Sequence, residues 1–296
     1  MIIIIPTKDR PKELINTLNF LANNSFFFKK IVIVDSSSLE VKKKIKNKIN
    51  NYNCKIQFID SKPSTCIQRN VGFDFIESEE YIMFLDDDNI FHIDAFYKMQ
   101  EFLNHQKDFV GVAFNQVYHY KKSIFEKLKK NILLNGMGIY SSENGGFSKS
   151  GWQSKFINFE KDTNVQWLPT RAVIYKSNAV KNIRFDNNLG IYGYLEDLDF
   201  SLELKKRGNL MVCSEAKYTH DQAITRPGFE FGKKEIKNRF YIVKKHNLSK
   251  GRFFFTALIR AVLTFKDSML GNHNSLKRLF GNICALLSIN KLDPES

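Results

Sequence analysis

Tyr81-Ile82-Met83-Phe84-Leu85 runs without a break into Asp86-Asp87-Asp88, and no other stretch constrains the fold as tightly. Five apolar residues suit a strand buried on both faces, so the carboxylates fall where the chain leaves its sheet. In open α/β sheets, ligands collect at that carboxyl edge. Adjacent anions repel one another, and only a cation or donor hydrogen bonds offset the repulsion. A hard divalent ion bridging to a phosphate supplies such compensation. A solvated acidic turn is the plainer reading of an Asp run.

The neighbouring sequence alternates strand and helix. Ile2 to Ile5, Lys30 to Val34, Ile56 to Ile59, Tyr81 to Leu85 and Phe109 to Phe114 read as strands. Pro11 to Asn23, Leu39 to Asn50, Ser64 to Ile76 and Asp94 to Leu103 read as the helices between them. This alternation predicts a parallel sheet covered on both faces and joined by right-handed crossovers. From Tyr118 to about Asp162 periodicity weakens and Gly, Ser and Asn accumulate, as in Asn144-Gly145-Gly146-Phe147-Ser148. A connection that long is more often functional than decorative. Regularity returns at Val165 to Tyr175, at a helix over Leu198 to Arg207 stopped by Gly208, and at a strand over Leu210 to Cys213. Beyond Gly232 the pattern is helical, over Lys233 to His246, Gly251 to Leu270 and Ser275 to Leu287. Pro227 and Gly228 punctuate the change, which predicts an α/β domain over 1–228 and a basic helical extension over 229–296.

With 43% hydrophobic and 26% charged residues, the 296-residue chain has the make-up of a soluble globular protein. Its net charge of +14 stands out. Only ten of the 45 basic residues are Arg, and many Lys lie in Lys/Asn/Ile-rich stretches such as Val41 to Asn51. The charge alone therefore separates nucleotide, phospholipid headgroup and nucleic acid poorly. Cys54, Cys66, Cys213 and Cys284 lack Cys-x-x-Cys spacing, which argues against zinc and a disulfide framework and for reduced thiols in the cytoplasm. Ile2 to Pro6 is too short for a signal peptide, and Arg260 breaks the apolar run Phe253 to Phe265; no membrane span is expected.

Chemistry-bearing residues recur at strand ends. Thr7, Asp9 and Arg10 follow the first strand and Asp35 the second, while Arg69 lies in a helix beside the same edge. Asp35 suits a hydrogen bond to a base or ribose, and Arg69 can reach a diphosphate as a planar fork. Neither of the two commonest glycine-rich phosphate loops is present, so phosphate must be met by metal and side chains. A second acidic group, Glu196-Asp197-Leu198-Asp199, opens a helix after Gly193. Capping needs one carboxylate and here there are three, which suits a base taking a proton from an incoming hydroxyl. His220 follows a short strand, as a structural histidine or as a metal or phosphate ligand.

In order and spacing, Ile5-Pro6-Thr7 with Arg10, Val34-Asp35-Ser36-Ser37, Gln68-Arg69-Asn70-Val71-Gly72, Phe84 to Asp88, Tyr194 to Phe200 and His220 resemble glycosyltransferase family 2 over roughly residues 1–222. The resemblance implies a GT-A fold, an α/β Rossmann-like architecture whose mostly parallel central sheet is flanked by helices, and an inverting reaction. It implies that Pro6, Thr7, Asp9 and Arg10 line the nucleotide pocket and that Asp35 meets the base. Arg69 would lie at the nucleotide or diphosphate. Asp86, Asp87 and Asp88 would form the Asp-x-Asp motif, with Asp88 as direct ligand of Mg²⁺ or Mn²⁺, Asp86 at ribose and metal, and Asp87 beside the donor. His220 would approach metal or diphosphate, Asp197 would be the catalytic base, and Glu196 would orient the acceptor or share that role. The chain departs from the family at Trp167-Leu168-Pro169-Thr170-Arg171, where many relatives carry Gly or Ala pairs in place of Thr170 and Arg171. Arg171 then either binds an anionic group or pairs with Glu196. Trp152, Trp167, Tyr192 and Tyr194 either stack on sugars or pack in the core.

The expected activity is metal-dependent transfer of a sugar from a nucleoside-diphosphate donor to a saccharide or lipid-linked acceptor, in surface polysaccharide synthesis. The basic C-terminal helices suit peripheral attachment to the anionic inner face of the plasma membrane, or plain packing with a solvated basic face. A sugar-phosphate nucleotidyltransferase is disfavoured because Pro6-Thr7-Lys8-Asp9-Arg10 replaces a glycine-rich loop. A non-catalytic basic module is the third possibility, on membrane or nucleic acid. Strand-end carboxylates would repel nucleic acid, so no nucleic-acid partner is expected.

Overall fold

The computed structural model describes residues 1–50, 52–118, 131–191, 193–220, 228–269 and 273–289. Tyr192, Pro227 and much of the first third of the irregular connection lie outside them. In chain order the elements are β1 (Ile2–Thr7), α1 (Pro11–Ala22), β2 (Lys30–Asp35), α2 (Leu39–Ile49) and β3 (Ile56–Asp60). There follow α3 (Thr65–Phe73), β4 (Tyr81–Leu85), β5 (Asn89–Phe91), α4 (Ala95–His105), β6 (Gly111–Gln116) and α5 (Ile132–Gly136). Next come β7 (Thr163–Val165), β8 (Ala172–Lys176), α6 (Ser177–Val180), α7 (Glu196–Lys205) and β9 (Leu210–His220). The last are α8 (Gly228–Lys245), α9 (Lys250–Met269) and α10 (His273–Leu287). The chain divides into two compact units, one of Met1–Tyr118, Phe156–Asn187 and Ile191–Asp221, the other of His119–Lys155, Asn188–Gly190 and Gln222–Ser296.

The first unit is a mixed α/β fold, with a central sheet in the order β3-β2-β1-β4-β8-β6-β9-β5 and β7 also paired to β9. Every residue of β1, β2 and β4 is buried, as continuous apolar strands require. From β3 to β4 all pairings are parallel, and Thr7, Asp35 and Asp60 lie in register, so the strand ends line up along one edge. α1 begins with Pro11 at its first position and buries Leu14, Thr17, Leu18 and Leu21.

Beyond β4 the sheet is no longer parallel throughout. β8 runs antiparallel to both β4 and β6, and β5 and β7 are antiparallel to β9. An apolar run covered on both faces carries no mark of its direction, so the alternation of strand and helix could not announce this reversal. β9 continues to His220 rather than stopping at Cys213, because a bulge shifts its pairing with β6 from Phe114–Cys213 to Asn115–Lys217. Asn115 Nδ2 donates to the Ser214 carbonyl (2.8 Å) and the Ser214 amide donates to Asp162 Oδ1 (2.8 Å), which satisfies the interrupted ladder.

In the second unit, Ile139, Tyr140, Trp152, Ile236, Phe240, Phe253 and Ala285 belong to one core. Arg239 lies over the Trp152 ring, 4.3 Å from its centre. α8 and α10 cross at glycines: a methyl group at Gly232 would collide with the Arg278 carbonyl oxygen, and one at Gly281 with that of Phe229. Glu235 is buried at this crossing and accepts two hydrogen bonds from Arg278, at 2.8 and 3.0 Å. Among the described residues no helix is long and apolar enough to cross a membrane.

Candidate active site

The lined-up strand ends build the first half of the site. Asp86, Asp87 and Asp88 follow β4 directly, and each has different company. Asp87 turns inward: Thr7 Oγ1 donates to its Oδ2 (2.6 Å), Arg10 Nη1 to its Oδ1 (2.9 Å), and Thr17 Oγ1 to its backbone carbonyl (2.9 Å). Asp88 pairs with Arg10 Nη1 at 2.7 Å and His220 Nε2 at 2.9 Å. The length of β9 explains the histidine's presence, since His220 lies opposite Asn89 in the pairing of β5 with β9. Ligand atoms of Asp86, Asp88 and His220 all lie within 4.8 Å of one another.

The loops after β1 and β2 are tied together as well. Ser37 donates to Asp35 Oδ1 from its backbone amide (2.8 Å), and its hydroxyl accepts from the Asp9 amide (2.7 Å). Asp9 Oδ1 accepts from the Ser38 amide at 3.0 Å. Asp35 is fully buried, and its Oδ2 has no hydrogen-bond partner among the described residues. Pro6 lies in β1 opposite Val34, and Gln68 Nε2 clamps the ends of both strands by donating to the Thr7 and Val34 carbonyls, each at 2.8 Å.

The second half opens α7. The chain enters this helix through Gly193 (φ +54°) and Leu195 (φ +75°), both left-handed. A side chain at Gly193 would strike the Thr65 hydroxyl, so glycine answers both the dihedral and the close approach of α3. Leu195 is a buried, bulky residue in a sparsely populated region, and such strain persists only where surroundings over-determine it. Asp197 Oδ1 accepts from the Leu198 amide at 2.8 Å.

Arg69 joins the halves. Its Nη2 reaches Asp86 Oδ1 at 3.1 Å and its Nη1 reaches Glu196 Oε1 at 2.9 Å. One buried guanidinium therefore spans the strand-end cluster and the helix-opening cluster. Glu196 finds an ion pair in Arg69; Arg171 Nη1 lies 3.4 Å from Gln116 Oε1, and the Arg171 carbonyl accepts from the Asp86 amide (2.8 Å) and from Asn89 Nδ2 (2.7 Å).

Proton affinities divide along the same line. Burial opposes charge on Asp88, but His220 and Arg10 outweigh it and hold this carboxyl below its usual range. Burial lifts Asp87 to about 7 against the pull of Thr7 and Arg10. Burial raises Glu196 and Asp197 as well; the charge of Asp197 adds to the rise at Glu196, while the Leu198 amide and Arg171 temper it at Asp197. Arg69 stays firmly protonated despite its burial because Asp86 and Glu196 face it.

Several site-building residues have no role in the sequence reading. Thr17 carried a signal, as a polar residue within the buried Leu14, Leu18, Leu21 stripe of α1. Gln68 stood within the Gln68-to-Gly72 motif, but nothing showed that it clamps the Thr7 and Val34 carbonyls, and nothing in the sequence marked Asn89 as a donor to the distant Arg171 carbonyl. Trp152 and Trp167 pack in the cores of their units, Trp167 edge-on against Phe156 (ring centres 5.6 Å apart). Tyr194 is half-buried.

The family model described as Glycosyl transferase family 2 matches residues 2–181. The chain belongs to glycosyl transferase family 2. Solved structures of low identity share its fold. S. aureus TarS 1-349 superposes with a TM-score of 0.51 at 17% identity, over 94% of this chain and 71% of that one. The same TarS 1-349 in complex with UDP-GlcNAc gives 0.51 at 16% identity, over 98% and 91%. GalNAc-T7 with UDP, GalNAc and Mn²⁺ gives 0.57 at 12% identity, over 82% of this chain and 47% of that one. No curated protein matches the chain. The fold of this family 2 glycosyltransferase is thus the GT-A architecture of those structures, with a C-terminal helical stretch.

Proposed function

We propose that the chain is a metal-dependent, inverting transferase that moves a sugar from a nucleoside-diphosphate donor to the hydroxyl of a saccharide or lipid-linked acceptor, in the building of a surface polysaccharide. The bridge made by Arg69 carries this reading, because it leaves a cation-type cluster and a proton-type cluster one guanidinium apart. The transfer chemistry is assigned to residues 1–228, and residues 229–296 form the basic helical extension, placed at the cytoplasmic face of the plasma membrane.

Two carboxylates and an imidazole with ligand atoms within 4.8 Å of one another fit a divalent ion, and the oxygen-rich set suits Mg²⁺ or Mn²⁺. Held by Asp88, Asp86 and His220, such an ion supplies Lewis-acid compensation for charge on a departing diphosphate. Asp35 is assigned to the base, with Pro6, Thr7, Asp9 and Arg10 around the nucleotide and Arg69 at the diphosphate side. Asp87 acts on that pocket through Thr7 and Arg10, which occupy both its oxygens. Asp197 accepts the acceptor's hydroxyl proton while the oxygen attacks the anomeric carbon from the face opposite the leaving group. A single displacement of this kind inverts the configuration. Glu196, paired to Arg69, orients the acceptor or shares the proton.

A nucleotide-sugar panel with and without Mn²⁺, read by thermal unfolding, tests the donor half. One donor at a hundredfold excess over its Kd should stabilise the fold by about 2.7 kcal/mol, and only with the metal. Indifference to every donor, joined to pyrophosphate release from a nucleoside triphosphate, would replace this reading with nucleotidyl transfer.

A further inference from the structure

We infer that the helical unit lies flat on an anionic phospholipid bilayer, inserting an apolar stripe carried by α9 and α10. On α9, Phe254, Leu258, Val262, Phe265 and Met269 recur at helical spacing, each at least 42% exposed. On α10, which packs against α9, Leu276, Phe280, Ile283 and Leu287 recur in the same way, each at least 38% exposed. These are not the core-facing positions: Phe253, Ala257 and Ala285 already fill the interior. Folded soluble chains seldom leave such continuous rows of large apolar side chains in water, and such a surface marks an interaction site.

Charge identifies the occupant. Over residues 228–289 twelve basic residues stand against three acidic ones. Arg260 and Arg278 are turned toward the buried Glu235, whereas Lys250, Lys266 and Lys277 are exposed on the helices that carry the stripe. Asp267 is the one acidic residue of α9 and α10. A second copy seated on this face by two-fold symmetry would bring a basic surface against a basic surface while removing water, which strengthens their repulsion. An anionic bilayer buries the stripe and neutralises the lysines at once. Since no described helix is apolar enough to span, the geometry is that of helices lying in the headgroup region.

Flotation of the full chain with vesicles tests the inference without any turnover, so its failure is separate from failure of the transferase reading. The chain should rise with vesicles containing phosphatidylglycerol, stay behind with pure phosphatidylcholine, and be released by salt. Leu258→Glu with Phe265→Glu, or Lys266→Glu with Lys277→Glu, should each weaken partitioning at least about tenfold. All four positions are exposed, and unchanged thermal unfolding of the variants verifies their fold. Equal flotation with both lipids, or none with either, overturns the inference. So does a dimer in light scattering that Leu258→Glu with Phe265→Glu converts to monomer.

Discussion

The carboxylates at the end of β4 and those opening α7 share one chemistry and differ in surroundings. Asp88 has a guanidinium and an imidazole within 2.9 Å, and its charged form is favoured. Among the described residues Glu196 pairs with Arg69 and Asp197 accepts from the Leu198 amide, and burial favours the protonated form of both. A group meant to hold a cation must stay ionised, whereas a group meant to take a proton works best when its affinity approaches the working pH. The contrast teaches that carboxyls of one type acquire different proton affinities from the number and charge of their immediate partners.

The largest blow to this contrast should come from Asp197→Asn. Loss of the proposed base should lower kcat by about 10²- to 10⁴-fold in single-turnover transfer, with donor-induced thermal stabilisation intact. Unimpaired transfer would remove Asp197 from the proton-taking role. Arg69→Leu should come next, destabilising the fold by about 3 kcal/mol in denaturant titration, because it leaves a half-buried carboxylate without its partner on each side. A loss confined to activity would show that the bridge is not structural. Asp88→Asn should weaken Mn²⁺-dependent nucleotide binding by at least about tenfold in calorimetry, yet leave metal-free binding nearly unchanged.

The smallest effect lies in the pH profile. Because the Glu196–Asp197 pair is raised, kcat/KM should fall on the acid side at a pH above the ordinary carboxylate value of about 4. Glu196→Gln should sharpen that limb to the single titration of Asp197, since it removes the other raised carboxyl. The linkage has the opposite sense for stability: a carboxyl raised in the folded state stabilises below its unfolded pKa, and that contribution fades as pH rises through the folded value. The melting temperature should therefore decline across that window in the wild-type chain and stay flatter in Asp197→Asn.

Much of the strand-end half was legible because it is local. The run Tyr81–Leu85 and the three carboxylates behind it state both a strand and its terminus within eight residues. The start of α7 was legible for the same reason, with Gly193 ahead of the acids. Strand direction was not, since β8 is as apolar as β1 and differs only in which way it runs. The extension of β9 was hidden by a bulge that breaks alternation at Ser214, and with it went the reason His220 reaches Asp88. The inclusion of residues 131–155 with the late helices also escaped the sequence, because Trp152 and Tyr140 meet α8 and α9 only in three dimensions.

The glycine crossing of α8 and α10 has a mechanical consequence. Where Gly232 and Gly281 bring main chain against main chain, no side-chain rotamer can absorb sliding or rotation between the helices. The pair behaves as one stiff plate, so any surface it presents is ordered before contact and loses little entropy when a partner arrives.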